Sequence, residues 1–457
     1  MHLGVILNRV FRTKGNPLFD YVESHSDVID KLYFILPIED LSDASEVKQN
    51  YYYDVVKSFV HVLEKHNIHP YIIPYQKLGE LGDELELSHI LVAKDIMSYH
   101  KESYDFRHVK LAFQKHEIEV IGQRVNHYFH PSTTFNKQKQ PYQVFTSFYK
   151  ENRGKLSHTP RNNYQFKQLS QYAEKGSNQS ELQLNTNNDM EKSARKSWTS
   201  FLSDDISNYD KLIEDVSLDF VSGLSTYLAY GLLDIREVIN DLLEGYESNE
   251  KNYEAYIREV MFREFYYILM TQYPETATKS FSKKYRSMQW SYNKSHFKAW
   301  QEGETGYPII DAAMKKLKHT GYMHNRLRLV VSQFLTKNLF IDWSWGEDYF
   351  RKYLIDYDNA SNVHGWQWSA STGTDAVPYF RMFNPMRQSE RFDAQGHFIR
   401  SQLSVMKDVS NKYIHDPTKN KDKLKENFNI EIGKDYPEKI VDHKESRDHV
   451  MSKFKQF

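Results

Sequence analysis

The segment IDYDNASNVHGWQWSASTGTDAVPYFR, residues 355–381, decides the fold and the function that we predict for this chain of 457 residues. It contains three aspartates, two asparagines and two tryptophans beside a Ser-Thr-Gly-Thr run. Tryptophans usually pack in cores because they bury a large area, whereas a buried carboxylate needs a partner. Their alternation is typical of a wall around a flat heterocyclic ligand. A long polar loop anchored by two tryptophans is the alternative.

The charge pattern on either side of this segment is one-sided. Six Lys or Arg side chains and no carboxylate lie between Asp311 and Asp342, and residues 376–389 contain Arg381 and Arg387 without an acidic residue. The formal net charge of −1 argues against a general nucleic-acid coat but permits a local basic face. We therefore predict a basic surface beside the ligand site, and a merely solvated face is the alternative.

The first 130 residues alternate short apolar runs with helical patterns. Continuous apolar runs of this length are typical of strands buried on both faces of a sheet. Between the second and third runs, Val55, Val56, Phe59 and Leu63 recur at helical spacing. The alternation predicts an α/β N-terminal domain with a doubly wound parallel sheet. The predicted strands are residues 3–7, 32–36, 70–75, 89–93 and 117–122.

The rest of the chain divides into a polar and a helical part. Residues 131–200 are rich in Asn, Gln, Ser and Lys, which predicts an interdomain linker with little core of its own and one short helix at 144–153. Residues 201–457 carry apolar residues at helical spacing and predict a large all-α C-terminal domain. On one of these helices, Gln333 and Lys337 fall on the face opposite the apolar residues.

Several classes of chemistry find no support in the sequence. The chain has no cysteine, which excludes disulfides and thiolate chemistry and suits a reducing compartment. It has no G-x-S-x-G elbow, no phosphate loop, no dinucleotide fingerprint and no histidine spacing of a metal site. No signal peptide or membrane span is evident. We expect a soluble, cytoplasmic protein, monomeric and without a metal, in which a cofactor carries the chemistry.

Three features gain meaning when they are taken together. The turn Ser222-Gly223-Leu224-Ser225 opens a helix, where backbone N–H groups and hydroxyls can hold a phosphate; an ordinary N-cap is the alternative. Residues 325–328, Asn-Arg-Leu-Arg, place polar side chains on a helix, for which salt bridging is the usual explanation. Six of the seven tryptophans lie between residues 290 and 368. Such a group is usually core, but it can also conduct electrons from a buried site to the surface.

Three stretches carry a close resemblance to a known family. They are WQEGETGYPIIDAAMKKLKHTGYMHNRLRLVVSQFL at residues 300–335, IDW at 341–343 and YLIDYDNASNVHGWQWSASTGTDAVPYFRMFNP at 353–385. Together they resemble the signature region of the DNA photolyase and cryptochrome family, from about residue 209 to residue 415. The resemblance implies FAD as the cofactor of the helical domain. It also implies a possible antenna chromophore of folate or deazaflavin type.

The resemblance assigns roles to residues around the flavin. It implies that Asn362 faces the flavin N5 and that Trp366, Trp343 and Trp290 form an electron-transfer chain. The residues implied for FAD binding are Tyr209, Val221, Ser222, Gly223, Leu224, Ser225, Arg328, Asp356, Tyr357, Asp358 and Asn362.

The resemblance also implies a pocket for a flipped-out DNA lesion. Asn325 stands where members that repair (6-4) lesions carry a second histidine, which favours cyclobutane pyrimidine dimers. The residues implied for lesion or DNA binding are Glu259, Phe262, Arg263, Asn325, Arg326, Trp368 and Arg381.

The chain departs from the family pattern at a few of these positions. Phe262 replaces a tryptophan against the lesion, and Val221 replaces a hydroxyl residue beside the phosphate turn. His100 and Lys101 replace an Asn-Glu pair that contacts folate, which leaves the antenna chromophore open. We expect repair with an altered affinity for the lesion.

The resulting hypothesis is light-driven repair of cyclobutane pyrimidine dimers in ultraviolet-damaged DNA, catalysed by a carbon–carbon lyase. The basic surface at residues 315–328 and 381–400 would bind the DNA phosphates. A cryptochrome-like blue-light photoreceptor without repair activity is the main alternative. A flavin oxidoreductase that works in the dark is a second one, although no nicotinamide site is evident.

Overall fold

The computed structural model of the protein describes residues 1–98, 104–160, 166–218 and 222–457. Its N-terminal part is built on five parallel strands in the order β3-β2-β1-β4-β5. Leu3 of the central strand lies opposite Leu32 on one side and His89 on the other. The strands are β1 (His2–Ile6), β2 (Lys31–Ile38), β3 (Tyr71–Pro74), β4 (His89–Ala93) and β5 (Glu119–Gln123).

Helices cover both faces of this sheet. One face packs with α1 (Pro17–Ser24) and α2 (Glu46–Lys65), and the other with α3 (Leu78–Glu84) and α4 (Phe106–Gln114). The strands are almost wholly apolar because both of their faces are buried. The predicted doubly wound α/β fold is confirmed, with β4 as predicted and the other strand ends shifted by one or two residues.

The segment expected to be a linker is more structured than its composition indicated. It contains α5 (Phe145–Asn152), α6 (Phe166–Tyr172) and α7 (Met190–Ser200). Ala194 and Trp198, four positions apart, are both buried on α7, so the expectation of little core in this segment was wrong. Two buried side chains on successive turns are enough to seat this helix against the core. The domain limits at residues 130 and 200 stay a prediction.

The remainder of the chain is helical, as predicted. No described helix combines the length and the apolar character that a bilayer span requires. The helices are α8 (Tyr209–Leu212), α9 (Leu224–Ala229), α10 (Ile235–Gly245), α11 (Glu250–Gln272), α12 (Lys294–Glu302), α13 (Pro308–Thr320), α14 (Asn325–Gln333), α15 (Trp343–Tyr353), α16 (Asn359–Ser369), α17 (Pro385–Phe392), α18 (His397–Gln402), α19 (Asn411–Ile414), α20 (Lys421–Phe428) and α21 (His443–Phe454).

Gln333 and Lys337 are buried rather than on the polar face that the helical spacing indicated. A π-helical turn at Phe334–Asn338 follows α14 and changes the register of the side chains. The Nζ of Lys337 donates to Ser371 Oγ at 2.6 Å and lies 4.5 Å from the ring centroid of Phe454. Burial lowers the pKa of the Lys337 ammonium to about 7.

The α/β and helical parts share one hydrophobic core. The apolar cluster on one face of the sheet continues without a break into α10 and α11. Arg12, which is fully buried, joins the two parts through its guanidinium, which donates to Val125 O at 2.7 Å and to Gly231 O at 3.0 Å. At the other end of the contact, the backbone N–H of Ser45 donates to Lys352 O, the last turn of α15. These contacts therefore hold the α/β part and the helical part together.

Candidate functional site

A cavity of about 550 Å³ opens between α9, α11, α14, α15 and α16. This volume is typical of a site for a cofactor or a substrate. Most of the predicted site residues line it. They are Tyr209, Ser222, Gly223, Leu224, Ser225, Glu259, Phe262, Arg263, Asn325, Arg328, Asp356, Asp358, Asn362, Trp366 and Trp368.

The small-residue turn forms one end of the cavity. Gly223 is the N-cap of α9 with φ +69°, a conformation that favours glycine, and a Cβ there would lie 2.9 Å from the Tyr227 hydroxyl. Ser222 Oγ lies 2.7 Å from the hydroxyl of Tyr256 and accepts from the N–H of Leu224 at 3.2 Å. Hydroxyls and a narrow backbone turn therefore meet at this end. Val221 lies outside the described residues.

A carboxylate–guanidinium pair crosses the middle of the cavity. Arg328 Nη2 donates to both carboxylate oxygens of Asp356, at 2.9 and 2.7 Å, and Arg328 Nε donates to Met323 O at 2.8 Å. The Asp356 side chain is 2% exposed and that of Arg328 is 25% exposed. The pair is thus held in one orientation, with the guanidinium as the part that a ligand can reach.

Hydrogen bonds to Glu347 fix the orientation of the Asn362 side-chain amide. Its Nδ2 donates to Glu347 Oε1 at 2.9 Å and to Glu347 O at 3.2 Å. A carboxylate or carbonyl only accepts here, so the amide nitrogen must face Glu347 and Oδ1 is the atom left for a ligand. Asp358 accepts from the N–H of Ser361 at 2.8 Å and caps α16, which carries Asn362.

Tyr357 does not line this cavity. Its hydroxyl donates to Glu347 Oε1 at 3.0 Å and its ring lies 4.9 Å from the Nζ of Lys48. It borders a separate polar cavity of about 40 Å³ near the carboxyl ends of the strands. The structure therefore puts Tyr357 behind Glu347 rather than in contact with a ligand of the larger cavity. The His100-Lys101 pair lies outside the described residues, so the antenna chromophore stays a prediction.

The cavity-lining side chains divide into a set with fixed protein partners and a set without them, and these two sets define the two halves of the cavity. Glu259, Asn325 and Trp368 line the half without partners, and none of these side chains forms a hydrogen bond or ion pair with another described residue. Solvent reaches Glu259 through the cavity, while protein encloses it on its other sides. This desolvation raises the pKa of the Glu259 carboxyl, although Arg258 and Arg326 oppose the shift.

Phe262 presents only one free face to this half. Its other face stacks on the Phe145 ring, with centroids 3.4 Å apart and planes at 10°. Phe145 begins α5, and its N–H donates to Asp375 Oδ2 at 3.1 Å. The linker segment thus contributes an aromatic ring to the wall of the site, a contact that no local pattern in the sequence indicated.

The predicted arginines have different surroundings. Arg263 donates to Asn126 O at 2.8 Å and pairs with the buried Glu264, and Arg326 pairs with Glu214. The side chain of Arg381 is exposed and unpaired among the described residues. Arg263 and Arg326 are therefore engaged within the protein, and their role in DNA binding stays a prediction.

Several cations of the predicted basic surface are engaged by neighbouring groups. Lys318 pairs with Glu302, Arg391 pairs with Glu214, and Arg400 donates to Val409 O at 2.7 Å. Arg387, like Arg381, has no such partner in the described ranges. Fewer cations near the cavity are thus free to bind DNA phosphates than the sequence indicated.

Trp366 lines the cavity, whereas the other two tryptophans of the predicted chain are buried and do not line it. The Trp366 indole packs on Gly346, where a Cβ would lie 2.1 Å from the ring, and Trp343 is one turn before Gly346 on α15. Trp290 is 7% exposed and packs on Phe340, with centroids 4.9 Å apart. The Trp366 Nε1 is buried without a partner among the described residues, whereas the Trp343 Nε1 donates to Ser280 Oγ at 3.3 Å.

His324 is the titratable base beside the cavity. Its Nδ1 accepts from the N–H of Arg326 and caps α14. Burial, and then the charge of Arg328, lower the pKa of His324 to about 4. The imidazole is therefore neutral at pH 7. No group of three His, Asp or Glu side chains in the described ranges is placed to hold a metal ion.

Comparisons of the sequence with known proteins all find similarity to DNA photolyases. Residues 256–456 match the family model of the FAD binding domain of DNA photolyase. The chain is 36% identical over 336 residues to a deoxyribodipyrimidine photo-lyase of Alkalihalophilus pseudofirmus, covering 71% of this chain and 70% of that one. It is 42% identical over 267 residues to the deoxyribodipyrimidine photo-lyase of Escherichia coli, covering 58% of this chain and 55% of that one.

A solved structure extends the likeness to the whole chain. A bacterial class III photolyase from Agrobacterium tumefaciens superposes with a TM-score of 0.85 at 26% identity, covering 100% of this chain and 97% of that one. The α/β region, which the family model leaves unmatched, therefore has the same fold in that relative.

Proposed function

The chain belongs to the DNA photolyase family, and we propose that its cavity repairs cyclobutane pyrimidine dimers in ultraviolet-damaged DNA by light-driven electron transfer. The observation that supports this most directly is that the side chains lining one cavity divide into two sets by their partners. Polar groups with fixed partners line one half, and a free carboxylate, a free amide and an indole line the other.

The half with fixed partners fits FAD. Its donor set combines hydroxyls and a narrow turn at residues 222–225, an oriented guanidinium at Arg328 and an amide oxygen at Asn362. Hydroxyls and backbone N–H groups suit phosphates, and a guanidinium suits an electron-rich ring edge. FAD, when bound and reduced, supplies the light absorption and the electron that opens the cyclobutane ring.

Asn362 and Arg328 prepare that half for its cofactor. Glu347 holds the amide nitrogen of Asn362, so Asn362 Oδ1 can accept a hydrogen bond from an N–H group of the ring. This hydrogen bond would hold the ring in place. Arg328, although paired with Asp356, still has guanidinium N–H groups that can donate to an electron-rich ring edge. These groups act by orientation and hydrogen bonding and need not transfer a proton.

The half without partners fits a flipped-out pyrimidine dimer. Ionised Glu259 can accept hydrogen bonds from pyrimidine N–H groups, and the Asn325 amide can donate and accept. The Trp368 ring and the free face of Phe262 can stack against the two bases. Asn325 in place of a second histidine supports cyclobutane dimers over (6-4) lesions as the substrate.

The three tryptophans form the route that reduces the cofactor. Trp366 lines the cavity, and Trp343 and Trp290 are buried in the helical region. A Trp366→Phe variant is expected to bind FAD and to lose light-driven reduction of the flavin. Chemically reduced variant protein should still repair, which separates this role from repair itself.

The protein is also proposed to act as a monomer in the cytoplasm. The absence of cysteine from all 457 residues suits a reducing compartment. Light scattering after size-exclusion chromatography tests the oligomeric state.

A repair assay tests the proposed function. The reduced, FAD-containing protein is incubated with ultraviolet-irradiated DNA, one half is illuminated with blue light, and dimers are counted in both. We expect loss of dimers only in the illuminated sample. Dimers that persist under light, with reduced flavin present, would favour a photoreceptor without repair activity.

A further inference from the structure

Arg258 sits on a platform of aromatic rings at the edge of the cavity. Its guanidinium carbon lies 4.9 Å from the centroid of Phe145, 5.2 Å from that of Tyr149 and 5.7 Å from that of Phe262. Phe145 and Tyr149 belong to α5, and Phe262 follows Arg258 by one turn on α11. Two separate segments therefore hold this one side chain.

Arg258 has carboxylates near it, Glu254 and Glu259, but is not paired with either of them at ion-pair distance. The side chain is exposed and forms no hydrogen bond or ion pair with any described residue. The carboxylate one turn before it, Glu254, is engaged by Arg153, whose Nη2 and Nε lie 2.9 and 3.0 Å from Glu254 Oε2. The carboxylate next to it, Glu259, faces the cavity. Cation–π attraction to the three rings holds the guanidinium near them, and its N–H groups remain available for an anion.

The position of Arg258 limits which anion reaches it. Glu259 and Phe262, which both follow Arg258 within the next turn of α11, line the half of the cavity without protein partners. A nucleotide that leaves a duplex to enter this half brings the phosphates on its two sides to the edge of the cavity. Arg326, one of three arginines that the resemblance implied for lesion or DNA binding, is paired with Glu214 instead.

We propose that Arg258, held over Phe145, Tyr149 and Phe262, binds a DNA backbone phosphate next to the flipped-out lesion. This inference rests on the proposed function. The contact positions the damaged strand and carries no sequence information, because a phosphate is the same beside every base. The aromatic rings of Phe145, Tyr149 and Phe262 hold the Arg258 side chain, a role that a carboxylate often has for an exposed arginine.

The salt dependence of binding tests this assignment. The dissociation constant of a duplex with one cyclobutane dimer is measured in the dark over a range of NaCl concentrations. Arg258→Ala is expected to weaken binding about tenfold at low salt. It should also reduce the slope of log K against log salt by about 0.9, as expected for one lost phosphate contact. Arg258→Lys should keep the slope because it keeps the charge.

Controls separate this contact from folding and from the function itself. Lys110→Ala removes an exposed charge on α4 and should leave both the affinity and the slope unchanged, while flavin absorbance reports intact folding of each variant. An Arg258→Ala protein that keeps the wild-type slope and still prefers dimer-containing DNA would overturn the Arg258 assignment alone. A wild-type protein without preference for the dimer would contradict the proposed function instead.

Discussion

The two halves of the cavity differ in what holds their polar side chains. On the flavin side, Arg328 is fixed by Asp356, and Asn362 by Glu347. On the lesion side, Glu259, Asn325 and Trp368 have no partner among the described residues. Both halves are built by the same helices, α11, α14 and α16. The contrast therefore comes from the neighbours of each side chain and not from its scaffold.

This contrast corresponds to two kinds of ligand. A resident cofactor benefits from groups that are oriented before it binds, since their ordering then costs nothing on binding. A transient substrate needs groups whose hydrogen bonds are unused, because breaking an internal pair would offset the gain from binding. The partner status of a side chain thus distinguishes the cofactor half from the substrate half.

Removal of Asp356 is expected to have the largest effect. Asp356→Ala leaves the Arg328 guanidinium without its carboxylate, and breaking such a pair costs about 3 kcal/mol, roughly a hundredfold. We expect FAD to bind about a hundredfold more weakly. The matched control is Asp43→Ala, which removes the exposed partner of Arg351 and should leave flavin retention unchanged. Equal flavin retention in both variants would contradict the role of the pair.

Removal of Glu259 or Trp368 should separate the two halves. Each change to Ala is expected to weaken binding of dimer-containing DNA about tenfold, since it removes a charged hydrogen-bond acceptor or a stacking face. The flavin spectrum should stay intact because neither side chain supports the cofactor half. Glu80→Ala, which removes an exposed carboxylate on α3, is the control. Repair at the wild-type rate in both variants would show that the lesion binds elsewhere.

The pH dependence of lesion binding should trace to Glu259. Its pKa is raised by desolvation, so the carboxylate is ionised above that raised value and protonated below it. Protonation removes an acceptor, and binding of the dimer should therefore weaken as the pH falls through this range. Glu259→Gln should bind more weakly and without that pH dependence. An identical profile in the variant would assign the titration to another group.

Enlarging Phe262 is expected to have the smallest effect. Phe262→Trp adds ring area to the free face and should tighten lesion binding by a factor of about three, within the usual range for aromatic pairs. The comparison of dissociation constants with and without the Phe145→Leu change tests whether the stacked pair holds the ring in place. Weaker binding of Phe262→Trp would indicate that the stack on Phe145 leaves no room for an indole.

The local sequence predicts the helices and strands better than it predicts which side chains contact one another. The parallel strands could be predicted because residues buried on both faces read as continuous apolar runs, as in β1 and β2. α7 could not, since only Ala194, Trp198 and Glu191 are buried among its polar residues. The resemblance of residues 300–385 to a known family supplied the candidate site residues.

The hydrogen-bond or ion-pair partner of a side chain is often distant in the sequence. It therefore cannot be predicted from the neighbouring residues. Arg326 and Arg258 both lie beside predicted lesion residues, yet Arg326 pairs with Glu214, 112 positions away, and Arg258 lies over rings of α5. Glu347, which orients Asn362, lies 15 positions before it and carries no motif of its own. Only the folded chain brings these groups together.

The buried Arg12 has a consequence for synthesis of the chain. Its guanidinium donates to the carbonyl of Gly231, a residue made 219 positions later. At usual ribosomal speeds the N-terminal sheet would wait roughly 10–40 s for that acceptor. During this time a charged side chain at the carboxyl edge of the sheet lacks part of its final environment. The α/β region should therefore mature only after the first helices of the flavin region have emerged, which makes it a poor candidate for independent expression.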